Sequence, residues 1–261
     1  MEAALEGKRG LVIGVANNRS IAWGIANACA AAGAELAFTY QGENLGHRVR
    51  PLAESVGARI VEPADVTDEL SLDAVFEKLA VQWGRLDFLV HAVAYSDKEE
   101  LTGRFINTSR ANFLNSMDIS CYSLIDLARR AAPIMPAGGT LLTLTFQGSG
   151  RVMPNYNVMG VAKAALESSV RYLASDLGPQ GIRVNAISPG PMKTLAGAAI
   201  GGARKTFRTA AAAAPMRCNA TLEAVGGTAV YLASDAGAFT TGEIVHVDGG
   251  YHVIGMANSA T

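Results

Sequence analysis

The chain has 261 residues and a net charge of -1, with a pI near 6.4, so its overall charge does not favour nucleic acid as a partner. Hydrophobic residues make up 49% of the chain and charged residues 17%, a balance that predicts a folded globular protein and excludes a disordered one. The first residues mix acids with bases and no run of about 18 apolar residues follows, so we expect a cytoplasmic protein without a membrane span or an export signal.

Seven short β-rich segments alternate with longer amphipathic segments. Segments of these lengths predict parallel strands joined by helical crossovers that cover both faces of a sheet. The expected fold is therefore a single-domain α/β protein with a doubly wound, seven-stranded parallel sheet of the Rossmann type. The predicted strands are 10–15, 35–40, 59–66, 86–95, 139–146, 182–188 and 243–250, and the predicted helices lie near 20–33, 43–57, 69–84, 109–133, 155–178 and 221–234.

The first predicted strand leads into "GVANNRSIAWG", in which Gly14 ends the strand and Ser20 to Gly24 open a helix. A glycine turn before a helix N-terminus offers backbone N–H groups and a positive dipole end to a pyrophosphate. The strict G-x-G-x-x-G fingerprint is absent, so the prediction of a dinucleotide site rests on the position of the turn. An ordinary turn glycine is the alternative for Gly14.

The second and third predicted strands end in side chains suited to an adenosine. Gln41 ends the second strand, and its neutral side chain without an adjacent basic residue favours NADH over NADPH. Asp65 and Val66 end the third strand, where the carboxylate can accept from the adenine amino group while the valine packs on the ring. The alternative for Asp65 is to cap a helix that begins near Thr67.

Two segments interrupt the alternation after predicted strands. They are residues 96–108 and residues 189–215, and the second is rich in Gly, Ala and Pro. Ligands of doubly wound sheets bind beyond the carboxyl ends of the strands, so we expect residues 189–215 to form a lid over the substrate. A surface loop without function is the alternative.

The segment "NYNVMGVAK" places Tyr156 and Lys163 seven residues apart at the start of a predicted helix. Seven helical residues turn through about 700°, so both side chains lie on one face, about 10.5 Å apart along the axis. A nicotinamide ribose would fit between them, bound by the lysine, whose charge would favour ionisation of the phenol. A neutral phenol is also a good donor to a developing oxyanion. The alternative is a surface lysine and an amphipathic tyrosine.

The cysteines and histidines are widely scattered. Neither C-x-x-C spacing nor an H-E-x-x-H motif occurs, so we expect free thiols and no metal site. The residues concerned are Cys29, Cys121, Cys218, His47, His91, His246 and His252.

Five segments together resemble the bacterial NADH-dependent enoyl-acyl-carrier-protein reductases, a divergent branch of the short-chain dehydrogenase/reductase superfamily. They are "GVANNRSIAWGIA", "AELAFTYQ", "NYNVMGVAKAALE", "RVNAISPGPMKTLA" and "GEIVHVDGGY", and the resemblance covers residues 5–256. Most of the superfamily carries Tyr-x3-Lys, whereas Tyr-x6-Lys is the spacing of the enoyl reductases. Here the residue four after Tyr156 is Gly160, which cannot replace Lys163.

The resemblance implies the NADH-dependent reduction of a trans-2-enoyl thioester on acyl carrier protein, in type II fatty acid synthesis. It implies that Tyr156 donates to the enolate oxygen and that Lys163 anchors the nicotinamide ribose. The implied cofactor residues are Gly14, Ser20, Ile21, Gln41, Asp65, Val66, Val93, Lys163, Met192, Lys193, Thr194, Leu195 and Ala196. The implied substrate residues are Tyr95, Ser96, Phe146, Tyr156, Met159 and Ala196.

Phe146 departs from the family pattern, which usually has a second tyrosine at this position. Its ring can still pack on an acyl chain, so we expect activity with an altered rate or substrate preference. The acidic carrier protein would dock on Arg204 and Lys205, assisted by Lys193 and Arg208, with simple solvated charges as the alternative. Relatives are usually homotetramers, with the segment "VDGGYHVIGMA" near subunit contacts.

Two other functions remain open at this point. A carbonyl or alcohol dehydrogenase of the same superfamily would need Tyr-x3-Lys and a serine about thirteen residues before the tyrosine, where this chain has Thr143. A non-catalytic NAD-binding protein would not need to keep both Tyr156 and Lys163, although Phe146 weakly favours it.

Overall fold

The computed structural model describes residues 3–194 and 203–256. Seven parallel strands form one sheet in the order β3-β2-β1-β4-β5-β6-β7, which confirms the predicted fold class. Several strands are shorter than predicted, since the residues at their carboxyl ends already belong to the loops that follow. The strands are β1 Arg9–Ile13, β2 Glu35–Tyr40, β3 Ile60–Pro63, β4 Phe88–His91, β5 Gly139–Leu144, β6 Ile182–Pro189 and β7 Ile244–Val247.

The helices differ from the prediction at two places. The helix predicted over 109–133 is divided by a π-helical turn, Asp118–Tyr122, and a further helix lies inside the segment 189–215. No helix in the described part of the chain is long and apolar enough to cross a membrane. The helices are α1 Ile21–Ala31, α2 Gly42–Ser55, α3 Glu69–Trp83, α4 Arg110–Met117, α5 Ser123–Ala131, α6 Asn157–Leu177, α7 Ala203–Ala213 and α8 Leu222–Ala233.

Two apolar clusters cover the two faces of the sheet. Leu11 and Ile13 of β1 belong to one cluster and Val12 to the other, because successive strand residues point to opposite faces. Buried residues of α3, α5 and α6 complete the first cluster, and buried residues of α1, α2 and α8 complete the second. The helices are thus held on both faces, and the carboxyl ends of the strands meet at one open edge.

The order of the strands reverses at β1, which lies between β2 and β4. Crossovers on the two sides of this point lead away from each other and leave a crevice at the carboxyl ends of β1 and β4. The residues predicted to bind the nucleotide begin at this crevice.

Candidate active site

Gly14 follows β1 at the crevice and has a positive φ of 104°. A Cβ atom at this position would lie 2.2 Å from the carbonyl oxygen of Ala92, which follows β4. The backbone segments after β1 and β4 are therefore so close that only glycine fits at position 14. Gly14 is therefore required for packing as well as for the turn, since it lets the loop after β1 lie against the floor of the crevice.

The first turn of α1 is free of competing side chains. Ser20 is the N-cap residue, but its hydroxyl donates to the carbonyl oxygen of Asn17 at 2.7 Å and does not cap the helix, and Ile21 begins the helix. The first turn contains no acidic residue. Backbone N–H groups and the positive end of the helix dipole thus remain available, which fits the pyrophosphate of a dinucleotide.

Gln41 and Asp65 lie together at the ends of β2 and β3. Gln41 Nε2 donates to Asp65 Oδ2 at 2.7 Å, while Asp65 Oδ1 accepts from the backbone N–H and the hydroxyl of Thr67. Partial burial opposes ionisation, but the hydrogen bonds from Thr67 and Gln41 outweigh it and lower the pKa of Asp65. The alternative, that Asp65 caps a helix beginning near Thr67, is wrong, because α3 begins at Glu69 and Asp68 caps it.

Tyr156 is the N-cap residue of α6 and is buried, with 8% of its surface exposed. The asparagines on either side, Asn155 and Asn157, have positive φ angles of 59° and 34°, a conformation that asparagine tolerates better than most residues. Asn157 also donates to the carbonyl oxygen of Glu100 at 3.0 Å. This tight turn, and not a regular helix, sets the direction of the tyrosine side chain.

Two glycines make room for the Tyr156 ring. A Cβ atom on Gly148 would lie 2.5 Å from the ring, and a Cβ atom on Gly160 would lie 2.7 Å from the Gly148 carbonyl oxygen. Phe146 packs edge-on against the same ring, with 5.2 Å between centroids. Phe146 therefore lies beside the phenol and holds it in place through ring contact.

Lys163 is buried on α6, and its Nζ donates to the carbonyl oxygen of Leu144 at 2.8 Å. Among the described residues this is its one hydrogen bond, and an ammonium group has three N–H donors. Burial lowers the pKa of Lys163 to about 8, although the charges of Cys121 and Glu167 act to raise it. A buried cation with spare donors fits the hydroxyls of a nicotinamide ribose.

The expectation that Lys163 favours ionisation of the phenol is wrong. Burial, and after it the charge of Glu167, raises the pKa of Tyr156 above its ordinary value. The phenol is thus neutral at physiological pH and acts as a hydrogen-bond donor.

His91 forms a buried polar chain behind the site. The Ser123 hydroxyl donates to the carbonyl oxygen of Ile119 at 2.6 Å, so its oxygen accepts from His91 Nε2, 2.8 Å away. His91 Nδ1 then accepts from the Thr143 hydroxyl at 2.7 Å. The hydroxyl at the position of the superfamily serine is therefore already engaged within the protein.

A family model described as enoyl-(acyl carrier protein) reductase matches residues 14–252. The chain belongs to the enoyl-(acyl carrier protein) reductase family. It is 57% identical to enoyl-acyl-carrier-protein reductase (NADH) 1 of Rhizobium meliloti (strain 1021), over 97% of this chain and 93% of the relative. The resemblance seen in the sequence is thereby confirmed.

Solved structures agree with this family. The reductase from Anaplasma phagocytophilum, in complex with NAD, has a TM-score of 0.95 and 53% identity, covering 100% of this chain and 98% of that chain. The structure named FabI from Candidatus Liberibacter asiaticus has a TM-score of 0.97 and 50% identity, covering 99% of this chain and 100% of that chain.

The loop after β4 and the π-helical turn are joined by hydrogen bonds. Ser120 Oγ bonds both the N–H and the carbonyl of Tyr95 and lies 3.8 Å from Met159 Sδ. Ser96 donates to Asn112 Oδ1 at 3.2 Å. Ser120 could not be predicted as part of this contact, because a π-helical turn inside a helical pattern has no signature of its own.

The remaining cofactor candidates of the enoyl reductase lie near this edge or outside the described residues. Val66 and Val93 are half-buried against the core, and Met192 packs on the opposite apolar cluster. The backbone N–H of Thr194 donates to the carbonyl oxygen of Met192 at 2.9 Å. Lys193 lies over the Phe207 ring of α7 at 4.9 Å. Leu195 and Ala196 lie outside the described residues.

Proposed function

We propose that this member of the family reduces trans-2-enoyl thioesters on acyl carrier protein to acyl thioesters, with NADH, in type II fatty acid synthesis. The observation that carries the proposal is the pair of buried polar groups, Tyr156 and Lys163, at the reductase spacing on the ligand-binding edge of the sheet. The family and the names of the relatives support the same activity.

The fit of the nucleotide site supports NADH as the coenzyme. Gly14 and the uncapped first turn of α1, Ser20 and Ile21, would hold the pyrophosphate, while Lys163 would hold the nicotinamide ribose. The Gln41 and Asp65 pair at the adenosine end contains no cation for a 2′-phosphate. When bound, NADH supplies a hydride to C3 of the enoyl group. Val66, Val93 and residues 192–196 complete the proposed site.

Tyr156 stabilises the negative charge that develops on the substrate. As C3 is reduced, the electron pair of the C2–C3 double bond moves toward the thioester oxygen, which becomes an enolate oxygen. The neutral phenol donates a hydrogen bond to this oxygen, and a proton from solvent then reaches C2. Donors fixed in place before the reaction act most strongly where charge grows, and the removal of one such donor costs about 10²-fold or more in rate.

The apolar neighbours of the phenol suit the acyl chain. Phe146, Met159 and Leu101 pack in one cluster with Tyr156, and Tyr95 is held beside Met159 through Ser120. We place the first carbons of the acyl chain against this cluster. Ser96 and Ala196 belong to the same proposed site, and residues 189–215 form its proposed lid.

The alternative carbonyl dehydrogenase is disfavoured by the state of Thr143. Its hydroxyl hydrogen is donated to His91, so it has no proton left to offer a ketone oxygen. A non-catalytic NAD-binding protein is disfavoured because coenzyme binding needs Lys163 but gives no reason to bury the phenol of Tyr156 against Phe146.

We further propose a docking surface and an assembly. Arg204, Lys205 and Arg208 are exposed on α7, where their charge suits an acidic carrier protein, with Lys193 nearby. A homotetramer is supported by exposed apolar side chains on α4 to α6 and after β7. The free cysteines suit a cytoplasmic location. The exposed apolar residues are Phe113, Leu114, Tyr122, Ile125, Tyr172, Val253 and Met256.

One assay tests the activity. NADH absorbance is followed with crotonyl-CoA, with crotonyl-carrier protein and with a ketone. We expect oxidation with both enoyl thioesters and a loss of about 10²-fold or more in kcat for Tyr156→Phe, with little change in NADH affinity. Turnover of the ketone alone would favour the dehydrogenase, and NADH binding without turnover would favour the sensor.

A further inference from the structure

Two consecutive residues at the end of β5 are each bonded to α6. Leu144 accepts from Lys163 Nζ at 2.8 Å through its carbonyl oxygen, and Thr145 donates from its hydroxyl to Glu167 Oε1 at 2.6 Å. Lys163 and Glu167 are four residues apart, so they lie on the same face of α6. The end of β5 and two successive turns of α6 are thus joined at two points.

The surroundings of Lys163 contain few charges. Its carbonyl partner is neutral, and burial lowers the pKa of His91 to about 3, so this ring is neutral as well. The pKa of Tyr156 is raised by burial, so the phenol is also neutral. The two remaining influences, Cys121 and then Glu167, both raise the pKa of Lys163. Of these two, Glu167 carries the carboxyl group, and it lies on the same face of α6 as Lys163, one turn away.

The position of Glu167 is fixed by a buried partner. Thr145 is 4% exposed, and a hydroxyl bonded to a carboxylate forms a short, strong hydrogen bond. Without this bond the carboxylate, which is half-buried, could turn toward solvent. The threonine thus holds the negative charge one helical turn from the ammonium group.

We infer that Glu167, held by Thr145, is a positioning residue for coenzyme binding, which keeps the Lys163 side chain charged and bonded to Leu144 with its other N–H groups directed to the ribose. This inference rests on the proposed function, in which Lys163 binds NADH. Glu167 itself does not touch the coenzyme or the substrate, and it acts through the lysine.

The test is the pH dependence of NADH binding, measured by NADH fluorescence without substrate between pH 6 and pH 9. In the wild type, we expect affinity to fall as the pH rises through about 8, since Lys163 loses its proton there. Glu167→Gln keeps an oxygen for Thr145 but removes the charge, so the midpoint should move to lower pH by about half a unit to one unit. NADH affinity should then be about two- to fivefold weaker near pH 8 and nearly unchanged at pH 6.

Three further variants complete the test. Glu167→Asp keeps the charge, so the pH midpoint of its NADH binding should stay close to the wild-type value. Thr145→Val, which releases the carboxylate, should shift the midpoint in the same direction as Glu167→Gln. Asp176→Asn removes an exposed acid from the same helix and should leave the midpoint in place.

An unchanged midpoint in Glu167→Gln, or an equal shift in Asp176→Asn, would overturn the inference. Because binding is read without substrate, a wild-type protein that binds NADH but does not oxidise it with crotonyl-CoA contradicts the proposed reaction alone. Wild-type protein whose NADH affinity does not change between pH 6 and pH 9 contradicts the role of Lys163, and the inference with it.

Discussion

Replacement of His91 by glutamine should remove much of the sensitivity of the fold to acid. His91 is fully buried on β4, and burial, followed by the charge of Lys163, lowers its pKa from 6.5 to about 3. Its two ring nitrogens bond Thr143 and Ser123. A glutamine amide also offers one donor and one acceptor but does not titrate.

The size of the effect follows from the two pKa values of His91. The unfolded chain binds the proton near pH 6.5 and the folded chain only near pH 3, so the stability from the neutral ring is present above about pH 6.5 and is lost as the pH falls toward 3. Each pKa unit corresponds to about 1.4 kcal/mol. The wild type should therefore lose about 2 kcal/mol between pH 7 and pH 5 from this group, and about 4 kcal/mol by pH 3.

Urea unfolding followed by circular dichroism, at pH 7 and at pH 5, measures this loss. The free energy of unfolding of the wild type should fall by about 2 kcal/mol more than that of His91→Gln over this interval. Other titrating groups, and the cost of the substitution itself, cancel in the difference between the two proteins. Equal pH dependence in both proteins would refute the assignment of a neutral, buried imidazole.

Three other variants test the coenzyme site, the docking surface and the role of Phe146. Gly14→Ala should weaken NADH binding by more than tenfold in a fluorescence titration, because its methyl group would meet a backbone oxygen at 2.2 Å, whereas Gly57→Ala, with a similar positive φ and open space, should bind NADH normally. The double variant Arg204→Glu with Lys205→Glu should raise KM for crotonyl-carrier protein by about tenfold and leave KM for crotonyl-CoA unchanged in the absorbance assay. Phe146→Tyr should leave kcat near the wild-type value, because Tyr156 alone donates to the enolate oxygen, and a kcat rise of about tenfold or more would contradict this and show that the position supports proton delivery.

The sheet and the nucleotide turn could be predicted because their signals are local. Runs of β-branched and aromatic residues mark the strands, and a glycine at the end of the first strand marks the turn at Gly14. Helix α7 was not predicted, since the alanine-rich segment around it has few large apolar residues to reveal a helical period. The π-helical turn Asp118–Tyr122 was not predicted either, because it continues the period of the flanking helices.

The buried polar contacts could not be predicted from one sequence. His91 and Thr143 are 52 residues apart, and Thr145 and Glu167 are 22 residues apart, so only the folded chain brings them together. Burial also decided the protonation of Tyr156, for which spacing alone suggested the opposite direction. The sequence identified Tyr156 and Lys163 as candidates, and the fold determines their burial and their pKa values.

The bond between Thr143 and His91 bears on how this scaffold could acquire a new reaction. A designer who wants a ketone reductase would have to break an imidazole contact in the core before any hydroxyl at that position could face a carbonyl. The lysine would also have to move three residues along the helix, into the place of Gly160, whose missing side chain lets the tyrosine loop close. Conversion of this site therefore requires a change in the core and a change on the helix together.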